Sequence, residues 1–292
     1  MFKILKFIWN HPLNKNNRLQ SIVRFIRWQL VSRMWGESFV FNWINESKLI
    51  VANGMTGATG NIYVGLMEYK DMSFVLHYLE DNDLFFDIGA NVGVYTILAS
   101  KIKNAKTVSI EPLPYTFDKL IDNINLNRLN TVDAINIGLS NEKSKLFITT
   151  DKDTMNRIAT KEDKNKKEIE VEILDTLSLK YGYPKLIKID VEGYETMVLK
   201  GAKQTLASDE LEVIIIELNG SGSTFGFDES LIHENLVENG FSPYEYNPFK
   251  RKLQELNIYG SENTIYIKNS IADKIIKDIK NADKFTINGF QL

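Results

Sequence analysis

The residues of this chain that could do chemistry begin with one acid and two glycines in the run Asp-Ile-Gly-Ala-Asn-Val-Gly, at 87–93. An apolar segment before them predicts a short buried strand over 84–88. From Val94 onward, apolar residues recur at spacings of three and four, which predicts a helix. A glycine turn between a strand and a helix lets a ligand approach the backbone, and the start of the helix offers N–H groups. The run therefore predicts a ligand site.

Different ligands fit this turn to different degrees. The dinucleotide fingerprint G-x-G-x-x-G crowds three glycines against a pyrophosphate, whereas this run has two glycines four residues apart. Its acid, Asp87, would repel pyrophosphate but could accept hydrogen bonds from the ammonium of an amino-acid-like ligand, which favours S-adenosylmethionine (SAM). The alternative is an ordinary strand-to-helix turn that needs glycine only for its geometry.

Further acids close other predicted strands. Glu111 follows Asp87 by 24 residues, the spacing at which an acid can meet a pair of ribose hydroxyls. Asp190 and Glu192 close a later strand, and Glu217 closes the one after it. An acid at one strand end often only caps a helix, but acids ending four strands of one sheet are harder to explain in that way. We expect them to share one rim of the sheet.

The elements that must position these residues alternate along the chain. Apolar runs predict strands at 84–88, 106–111, 132–137, 186–191, 211–218, 241–246 and 263–267. Helical periodicity predicts helices at 67–80, from 94, at 114–127, 194–206, 228–239 and 271–282. This alternation predicts an α/β fold with a mostly parallel sheet and right-handed crossovers. The last two strands have no helix between them, so they should pair antiparallel.

Two segments depart from the alternation. Within 140–173, strands at 145–150 and 168–173 predict an inserted hairpin with a structural role. Residues 39–66 predict a β-rich lead-in that includes the glycine-rich segment 53–60. That segment lacks the Gly-Lys-Ser/Thr ending of a nucleotide-triphosphate loop, so a glycine-rich hairpin is expected there.

The first 36 residues carry seven lysines and arginines and no acid, which gives a charge of +7. Because the whole chain has a net charge of −3, the remaining residues carry −10. Residues 18–35 predict an amphipathic helix with an apolar stripe, made of Leu19, Ile22, Val23, Ile26, Leu30 and Met34. Two interpretations stay open. The stripe could pack on the domain or on a second copy in a homodimer, or the basic helix could lie on an anionic membrane surface.

Composition excludes several classes. No run of about 18 apolar residues exists, so no membrane-spanning helix is expected. The basic, apolar residues 1–9 lack a small-residue cleavage site, which argues against a signal peptide. Zero cysteines exclude a disulfide, a thiolate metal site and a cysteine nucleophile, and they fit a reducing compartment, so a cytoplasmic location is expected. The basic N-terminal helix adds the alternative of a membrane-peripheral location. The acidic body argues against nucleic acid as a partner.

Three blocks of the sequence resemble the FkbM family of SAM-dependent methyltransferases. They are Asp-Ile-Gly-Ala-Asn-Val-Gly-Val-Tyr-Thr (87–96), Ile-Glu-Pro-Leu-Pro-Tyr-Thr-Phe-Asp-Lys-Leu-Ile-Asp-Asn (110–123) and Lys-Ile-Asp-Val-Glu-Gly-Tyr-Glu (188–195). The resemblance covers about 62–268. It implies a Rossmann-like methyltransferase domain, taken as 51–292, with a seven-stranded sheet whose last strand is antiparallel. The basic amphipathic helical extension, 1–50, precedes it.

The resemblance also implies roles for individual residues. The residues that would line the methionine end of SAM are Gly89, Ala90 and Asn91, with Asp87 and Gly93 shaping the turn. The residues that would contact the rest of the cofactor are Glu111 at the ribose, Pro112 beside the adenosine, and Glu68. Asp190 and Glu192 would face the acceptor. Members of the family methylate hydroxyl groups, notably on sugars and polyketides, so a saccharide or similar hydroxylated metabolite is the expected acceptor.

Methyl transfer to a hydroxyl needs alignment and the removal of one proton. Asp190 is the leading candidate for the base, and Glu192 is the next. Alternatively, Asp190, Glu217 and Asn219 could hold a divalent cation through oxygen ligands, although no metal is predicted. None of the three histidines is expected to be catalytic. The alternative functions are a non-catalytic membrane-peripheral or scaffold protein on a methyltransferase fold, and a nicotinamide-dependent oxidoreductase.

Overall fold

The computed structural model describes residues 2–35, 38–52, 54–152 and 155–292. Met1 and 36–37 in the basic segment, Asn53 of the glycine-rich segment, and 153–154 of the inserted hairpin lie outside these described residues, so predictions that include them are tested only for their neighbours.

The strands in chain order are β1 (Phe39–Asn42), β2 (Lys48–Val51), β3 (Leu84–Ile88), β4 (Lys106–Ile110), β5 (Val132–Ile135), β6 (Gly138–Leu139), β7 (Ser144–Thr149), β8 (Lys166–Glu172), β9 (Leu186–Ile189), β10 (Val213–Glu217), β11 (Phe241–Asn247), β12 (Lys252–Glu255), β13 (Asn263–Lys268), β14 (Thr286–Ile287) and β15 (Phe290–Gln291). The α-helices are α1 (Phe2–Asn10), α2 (Arg18–Trp35), α3 (Thr56–Val64), α4 (Tyr69–Tyr78), α5 (Val94–Ile97), α6 (Pro114–Asn127), α7 (Leu174–Tyr181), α8 (Glu195–Lys200), α9 (Lys203–Ala207), α10 (Ser230–Glu238) and α11 (Ala272–Asn281). A π-helical turn, Leu98–Ile102, continues α5.

The described residues build one large sheet in the order β12-β11-β13-β10-β9-β3-β4-β5. Five neighbouring strands of this sheet are parallel: β10, β9, β3, β4 and β5. Next to them, β13 pairs antiparallel with both β10 and β11. This confirms the α/β Rossmann-like methyltransferase fold and the antiparallel pair. The sheet has eight strands where seven were predicted. The additional strand, β12, is a short edge strand with only Leu253 buried, so its sequence resembles a polar turn.

Both faces of the sheet are covered, which explains why its central strands are continuous apolar runs. Alternate residues of β10 enter different cores: Val213 and Ile215 pack on one side, and Ile214 and Ile216 on the other. The helices occupy the two faces, so the carboxyl ends of the strands stay free for a ligand.

The prediction of a hairpin over the glycine-rich segment is wrong, because its described residues begin the helix α3. Every residue from Ala58 to Val64 is buried. Gly60 is required by close packing, since a Cβ there would lie 2.3 Å from the sulfur of Met67. Tertiary burial thus overrides the poor helix propensity of glycine and β-branched residues. The β-rich lead-in is present only in its first part, where β1 and β2 pair antiparallel.

The inserted hairpin is present, and β7 and β8 pair antiparallel with β6 added alongside β8. Side-chain hydrogen bonds converge on Asp163 in the segment between β7 and β8. Asp163 there accepts hydrogen bonds from Arg157 at 2.9 Å and from Lys152 at 2.9 Å.

The helix predicted over 18–35 is α2, and five of the six residues of its predicted apolar stripe are exposed. The sixth, Ile22, is partly buried and packs against the core, so it does not belong to the outward face. The face that packs on the protein carries Ser21, Phe25, Trp28 and Ser32 instead. No helix among the described residues is long and apolar enough to cross a bilayer. The predicted division of the chain after residue 50 falls inside β2, and β2 is joined to α6 by hydrogen bonds at Lys48 and Ile50, so that division stays a prediction.

Candidate active site

A cavity of about 230 Å³ lies at the carboxyl ends of β3, β4, β9 and β10, and we call it the strand-end cavity. It is lined by ten of the eleven residues predicted for the site, namely Glu68, Asp87, Gly89, Ala90, Asn91, Glu111, Pro112, Asp190, Glu192 and Glu217. The eleventh, Gly93, does not line it. A Cβ on Gly93 would lie 2.6 Å from Leu120 of α6, and its φ is +88°, so Gly93 serves helix packing and the turn.

The turn between β3 and α5 is held against both neighbouring strands. Gly89 has a φ of +78°, and a Cβ there would lie 1.8 Å from the backbone oxygen of Asp190 at the end of β9. On the other side, the N–H groups of Gly89 and Ala90 both donate to the backbone oxygen of Ile110, at 2.9 Å each. These two turn amides are therefore used inside the protein.

Glu111 connects this turn to β4. Its Oε2 accepts the N–H of Asn91 at 3.0 Å, and its Oε1 accepts the N–H of Leu113 at 2.9 Å. Each carboxylate oxygen keeps a lone pair for a ligand hydroxyl. Burial raises the pKa of Glu111 to about 7, against the lowering effect of these two hydrogen bonds.

Asp87 is buried at the base of the cavity and accepts the hydroxyl hydrogen bond of Thr96 at 2.7 Å. Burial raises its pKa. Its oxygen thus braces α5 against β3, in agreement with the turn-shaping role predicted for it.

Lys188 of β9 is a site residue that the sequence interpretation missed. Its ammonium is buried, lies 2.8 Å from Asp190 Oδ2 and sits 4.8 Å from the centre of the Tyr95 ring. Burial disfavours its charge, but the carboxylates of Asp190, Glu68 and Asp87 outweigh burial and raise its pKa. A signal was available, because a lysine interrupts the apolar strand Leu-Ile-Lys-Ile-Asp-Val.

Glu68 reaches the cavity from the start of α4. Its Oε2 accepts a hydrogen bond from the Tyr95 hydroxyl at 2.5 Å and a weaker one from the Asn263 amide at 3.3 Å. Burial raises the pKa of Glu68, and Lys188 counteracts this. The carboxylate of Glu68 is therefore anchored in place at the cavity lining.

Asp190, Glu192 and Glu217 form what we call the acid trio. One oxygen of each lies within 4.8 Å of the others. Burial, followed by Asp190 and Glu195, raises the pKa of Glu192 to about 7. Burial, followed by Asp190 and Glu192, raises the pKa of Glu217 to about 8. Crowded carboxylates of this kind keep a proton near neutral pH.

The loop that carries Glu192 is strained and tightly supported. Glu192 has a φ of +54°, which is uncommon for a side chain other than glycine. The next residue must be glycine, because a Cβ on Gly193 would lie 2.7 Å from the backbone oxygen of Ser221. Glu195 closes the loop by accepting N–H groups from Val191 at 3.1 Å and Gly193 at 3.2 Å.

The alternative cation set does not assemble as predicted. Asn219 is exposed outside the cavity lining, and its Oδ1 accepts the N–H of Ser221 at 2.9 Å. Glu192 takes the third position beside Asp190 and Glu217. The histidines, all of them in described parts of the chain, lie away from the cavity lining at His11, His77 and His233.

One wall near the acid trio is aromatic. Tyr194 lines the cavity, and its ring lies 5.5 Å from that of Phe225, which in turn lies 5.9 Å from Phe227. The inserted hairpin also reaches this region, since Arg157 and Ile158 line the cavity and the Arg157 guanidinium lies 5.8 Å from the Phe225 ring. The inserted hairpin, for which a structural role was expected, therefore also lines the cavity.

Residues 87–243, more than half of the chain, match the family described as Methyltransferase FkbM domain. The chain belongs to the FkbM methyltransferase family. The matched range contains the turn after β3, Glu111 and the whole acid trio. Glu68 lies outside it, and the cavity contact of Glu68 comes from the structure.

The named relatives of this chain are distant from it in sequence. Hexuronic acid methyltransferase AglP of Haloferax volcanii is 29% identical over 155 residues, which cover 52% of this chain and 62% of AglP. Methyltransferase sdnD of Sordaria araneosa is 28% identical, over 47% of this chain and 66% of its own. The chain therefore spans less than two thirds of the length of either protein.

Among solved structures, precorrin-6y C5,15-methyltransferase from Geobacter metallireducens is similar over 69% of this chain and 87% of its own. The identity is 16% and the TM-score is 0.40. This similarity is too distant to bear on ligand or substrate.

Proposed function

We propose that the protein is a SAM-dependent O-methyltransferase that acts on a hydroxyl of a saccharide or a similar hydroxylated metabolite. The observation that carries the proposal is that one cavity joins the glycine turn, Glu111 and the acid trio. A cofactor site and a proton acceptor are thereby adjacent, which is the arrangement that methyl transfer to a hydroxyl requires.

The charges of the strand-end cavity fit SAM. Among the described residues that line it, two are cationic, Lys188 and Arg157, and six are acidic, namely Glu68, Asp87, Glu111, Asp190, Glu192 and Glu217. SAM carries a sulfonium and an ammonium, whereas a dinucleotide brings a pyrophosphate that these acids would repel. This favours SAM over a nicotinamide cofactor.

The residues that would hold SAM are the turn 89–91 at its methionine end, Glu111 at the ribose, and Pro112 beside the adenosine. When bound there, SAM would supply an activated methyl group to an oxygen nucleophile. The protein must then orient the acceptor hydroxyl and take its proton.

Within the acid trio, Glu192 is a better proton acceptor than Asp190, which was the leading candidate from the sequence. The Lys188 ammonium lies 2.8 Å from Asp190 Oδ2 and donates a hydrogen bond to it, so this oxygen is already engaged inside the protein. Glu192, with a pKa of about 7, is matched to a reaction near neutral pH. We therefore assign proton removal to Glu192 and the holding of the acceptor to Asp190 and Glu217.

Two features support a saccharide acceptor. AglP, to which the chain is similar, is named a hexuronic acid methyltransferase. Tyr194, which lines the cavity and is backed by the rings of Phe225 and Phe227, suits the apolar face of a sugar ring, and the carboxylates of the same lining can accept hydrogen bonds from hydroxyls.

Calorimetric titration with SAM tests the cofactor assignment, with NADH as the comparison ligand. We expect a saturable heat with SAM and none with NADH. Folded protein that does not bind millimolar SAM would refute the proposal, and binding of NADH alone would indicate an oxidoreductase.

Release of S-adenosylhomocysteine in the presence of neutral sugars and uronic acids tests the reaction. With an accepted sugar, Glu192→Gln should lower kcat at least about 100-fold, the usual contribution of a general base. The affinity for SAM should be unchanged. Glu234→Gln, at an exposed position on α10, is the matched control and should keep full activity.

The pH profile separates a base from a mere contact. In the unmodified enzyme, kcat/KM should fall about tenfold per pH unit below about 7, because Glu192 must be ionised. Glu192→Gln should remove this limb. If the limb persists in that variant, the base is another group.

A divalent cation on the acid trio is the second candidate for activating the hydroxyl, since three oxygen ligands suit a hard cation. We expect EDTA to leave the rate unchanged. A loss of activity that Mg²⁺ restores would transfer the role of Glu192 from base to ligand.

A further inference from the structure

Nine of the eighteen large apolar side chains that are exposed in the described part of the chain lie within its first 34 residues. Five of them form what we call the apolar stripe of α2, each 50–74% exposed: Leu19, Val23, Ile26, Leu30 and Met34. Four belong to α1: Phe2, Ile4, Phe7 and Trp9. Single exposed apolar residues are ordinary, but a continuous row on one helix face marks an interaction surface.

The stripe is held outward by the opposite face of α2. Phe25 and Trp28 are only 4% and 8% exposed, and their rings pack edge-on against Tyr63 at 5.2 Å and Phe39 at 5.9 Å. On the same helix, the Arg24 guanidinium donates a hydrogen bond to the backbone oxygen of Tyr63 at 3.0 Å. Rotation of α2 to hide the stripe would expose two aromatic rings and break this contact.

The charged side chains of residues 1–36, which include the stripe, are all positive. Exposed cations in this segment are Lys3, Lys6, Lys15, Arg18, Arg27 and Arg33, and residues 1–36 contain no acid. At 100° per residue, Arg27 and Arg33 fall on opposite sides of the stripe. An apolar row between cations is complementary to an anionic bilayer surface, which offers acyl chains beneath negatively charged headgroups.

We propose that α1 and α2 dock the protein on an anionic lipid bilayer. The apolar stripe enters the boundary between headgroups and acyl chains, and Arg27 and Arg33 meet the lipid phosphates. The helices lie on the surface, because no described helix can span a membrane. This proposal is independent of the reaction proposed for the strand-end cavity.

A second copy of the chain is a less favourable partner. Pairing two stripes face to face would bring together two segments that each carry +7 and contain no compensating acid. A bilayer satisfies the apolar row and the cations together, so it is the partner that the charges favour.

Flotation of the full chain with vesicles tests the proposal. We expect the protein to float with vesicles of phosphatidylcholine and 30% phosphatidylglycerol, and to stay behind with phosphatidylcholine alone. Raising the NaCl concentration should weaken the binding. The double variants Leu19→Ser/Leu30→Ser and Arg27→Gln/Arg33→Gln should each lower the vesicle partition coefficient at least tenfold.

Two matched controls exclude a general effect of the substitutions. Leu231→Ser/Val237→Ser removes equally exposed apolar side chains from α10, and Lys274→Gln/Lys277→Gln removes two exposed cations from α11. Both should float like the unmodified protein, and thermal unfolding should show that all variants fold.

Three results would overturn the proposal. The first is no flotation with the anionic vesicles, and the second is equal loss in the control variants. The third is a dimer that Leu19→Ser/Leu30→Ser converts to monomer without any vesicle binding, which would make the stripe a self-association surface.

Discussion

The strand-end cavity and the N-terminal helices both depart from the usual distribution of residues, but in opposite ways. The cavity encloses charge, with six acids around a buried lysine. The helices α1 and α2 expose apolar side chains and surround them with cations. Ordinary folding places apolar groups inside and charges outside, so each region sacrifices stability that the chain must recover elsewhere.

The comparison teaches what kind of ligand each exception implies. Charges gathered in a cavity suit a small ligand of opposite charge, because an enclosed site strengthens electrostatic attraction. An apolar row at the surface suits an extended partner, because the gain depends on the area removed from water. The two regions should therefore respond independently to mutation and to ligands.

The largest expected effect lies in the turn of the cavity. Gly89→Ala should cost about 5 kcal/mol or prevent folding, because it adds a left-handed φ to a severe clash with the Asp190 backbone. Gly220→Ala is the matched control, since its φ is +88° and no atom lies within 4 Å of the added carbon; it should cost about 1 kcal/mol. Urea denaturation measures both. Equal midpoints would show that the turn can relax.

Removal of the buried cation Lys188 should cause the next largest loss of stability. Lys188→Met should destabilise the protein by about 3–5 kcal/mol, because Asp190, Glu68 and Asp87 would lose their compensating charge. Lys145→Met removes a lysine that pairs with Glu168 at the surface and should leave the unfolding midpoint unchanged. If both variants unfold alike, the cavity does not depend on Lys188.

Substitutions on the two faces of α2 should differ sharply in their effect on stability. Phe25→Ala should cost about 3 kcal/mol, since that ring is buried against Tyr63. Val23→Ala, two residues earlier and 62% exposed, should change stability by less than about 0.5 kcal/mol. Thermal and urea unfolding without membranes check this. A similar loss from both would mean that the stripe packs inside the protein.

The last comparison concerns the pH dependence of the cavity without ligand. The pKa values of Glu111 and Glu192 are raised to about 7 and that of Glu217 to about 8, so the folded protein binds more protons than the unfolded chain above pH 5. Stability must then fall as pH rises from 5 to 8, by about 2–3 kcal/mol for each of these groups that is fully shielded from solvent and by less for one that is not. Urea denaturation at these pH values measures it, and bound SAM should flatten the slope. A rise in stability with pH would show that the acids are ionised and paired.

Much of the fold was predictable because local pattern and global fold agree. The strand 84–88 and the helix 114–127 have the bounds predicted from their periodicity. Failures occurred where burial overrides propensity, as in α3, or where an edge strand has too few apolar residues, as in β12. The helix predicted over 194–206 is divided into α8 and α9.

The sequence predicted which acids gather at the candidate site, but it did not predict how their side chains are paired. Strand ends bring Asp87, Glu111, Asp190 and Glu217 together in any sheet of this topology. The pairing of Lys188 with Asp190 depends on side-chain packing, which a one-dimensional pattern does not contain. The outward direction of the stripe was equally hidden, because both faces of α2 carry apolar residues.

At Glu192, the left-handed backbone lowers the stability of the fold, while the side chain supplies a carboxylate that the proposed reaction needs. Glycine or asparagine would occupy that φ of +54° with less strain, at a saving of about 1 kcal/mol, but neither offers a carboxylate. Laboratory selection for heat resistance alone should therefore enrich exchanges at this position and yield sturdier, inactive proteins. Selection that also demands methyl transfer should keep the glutamate and find its improvements elsewhere.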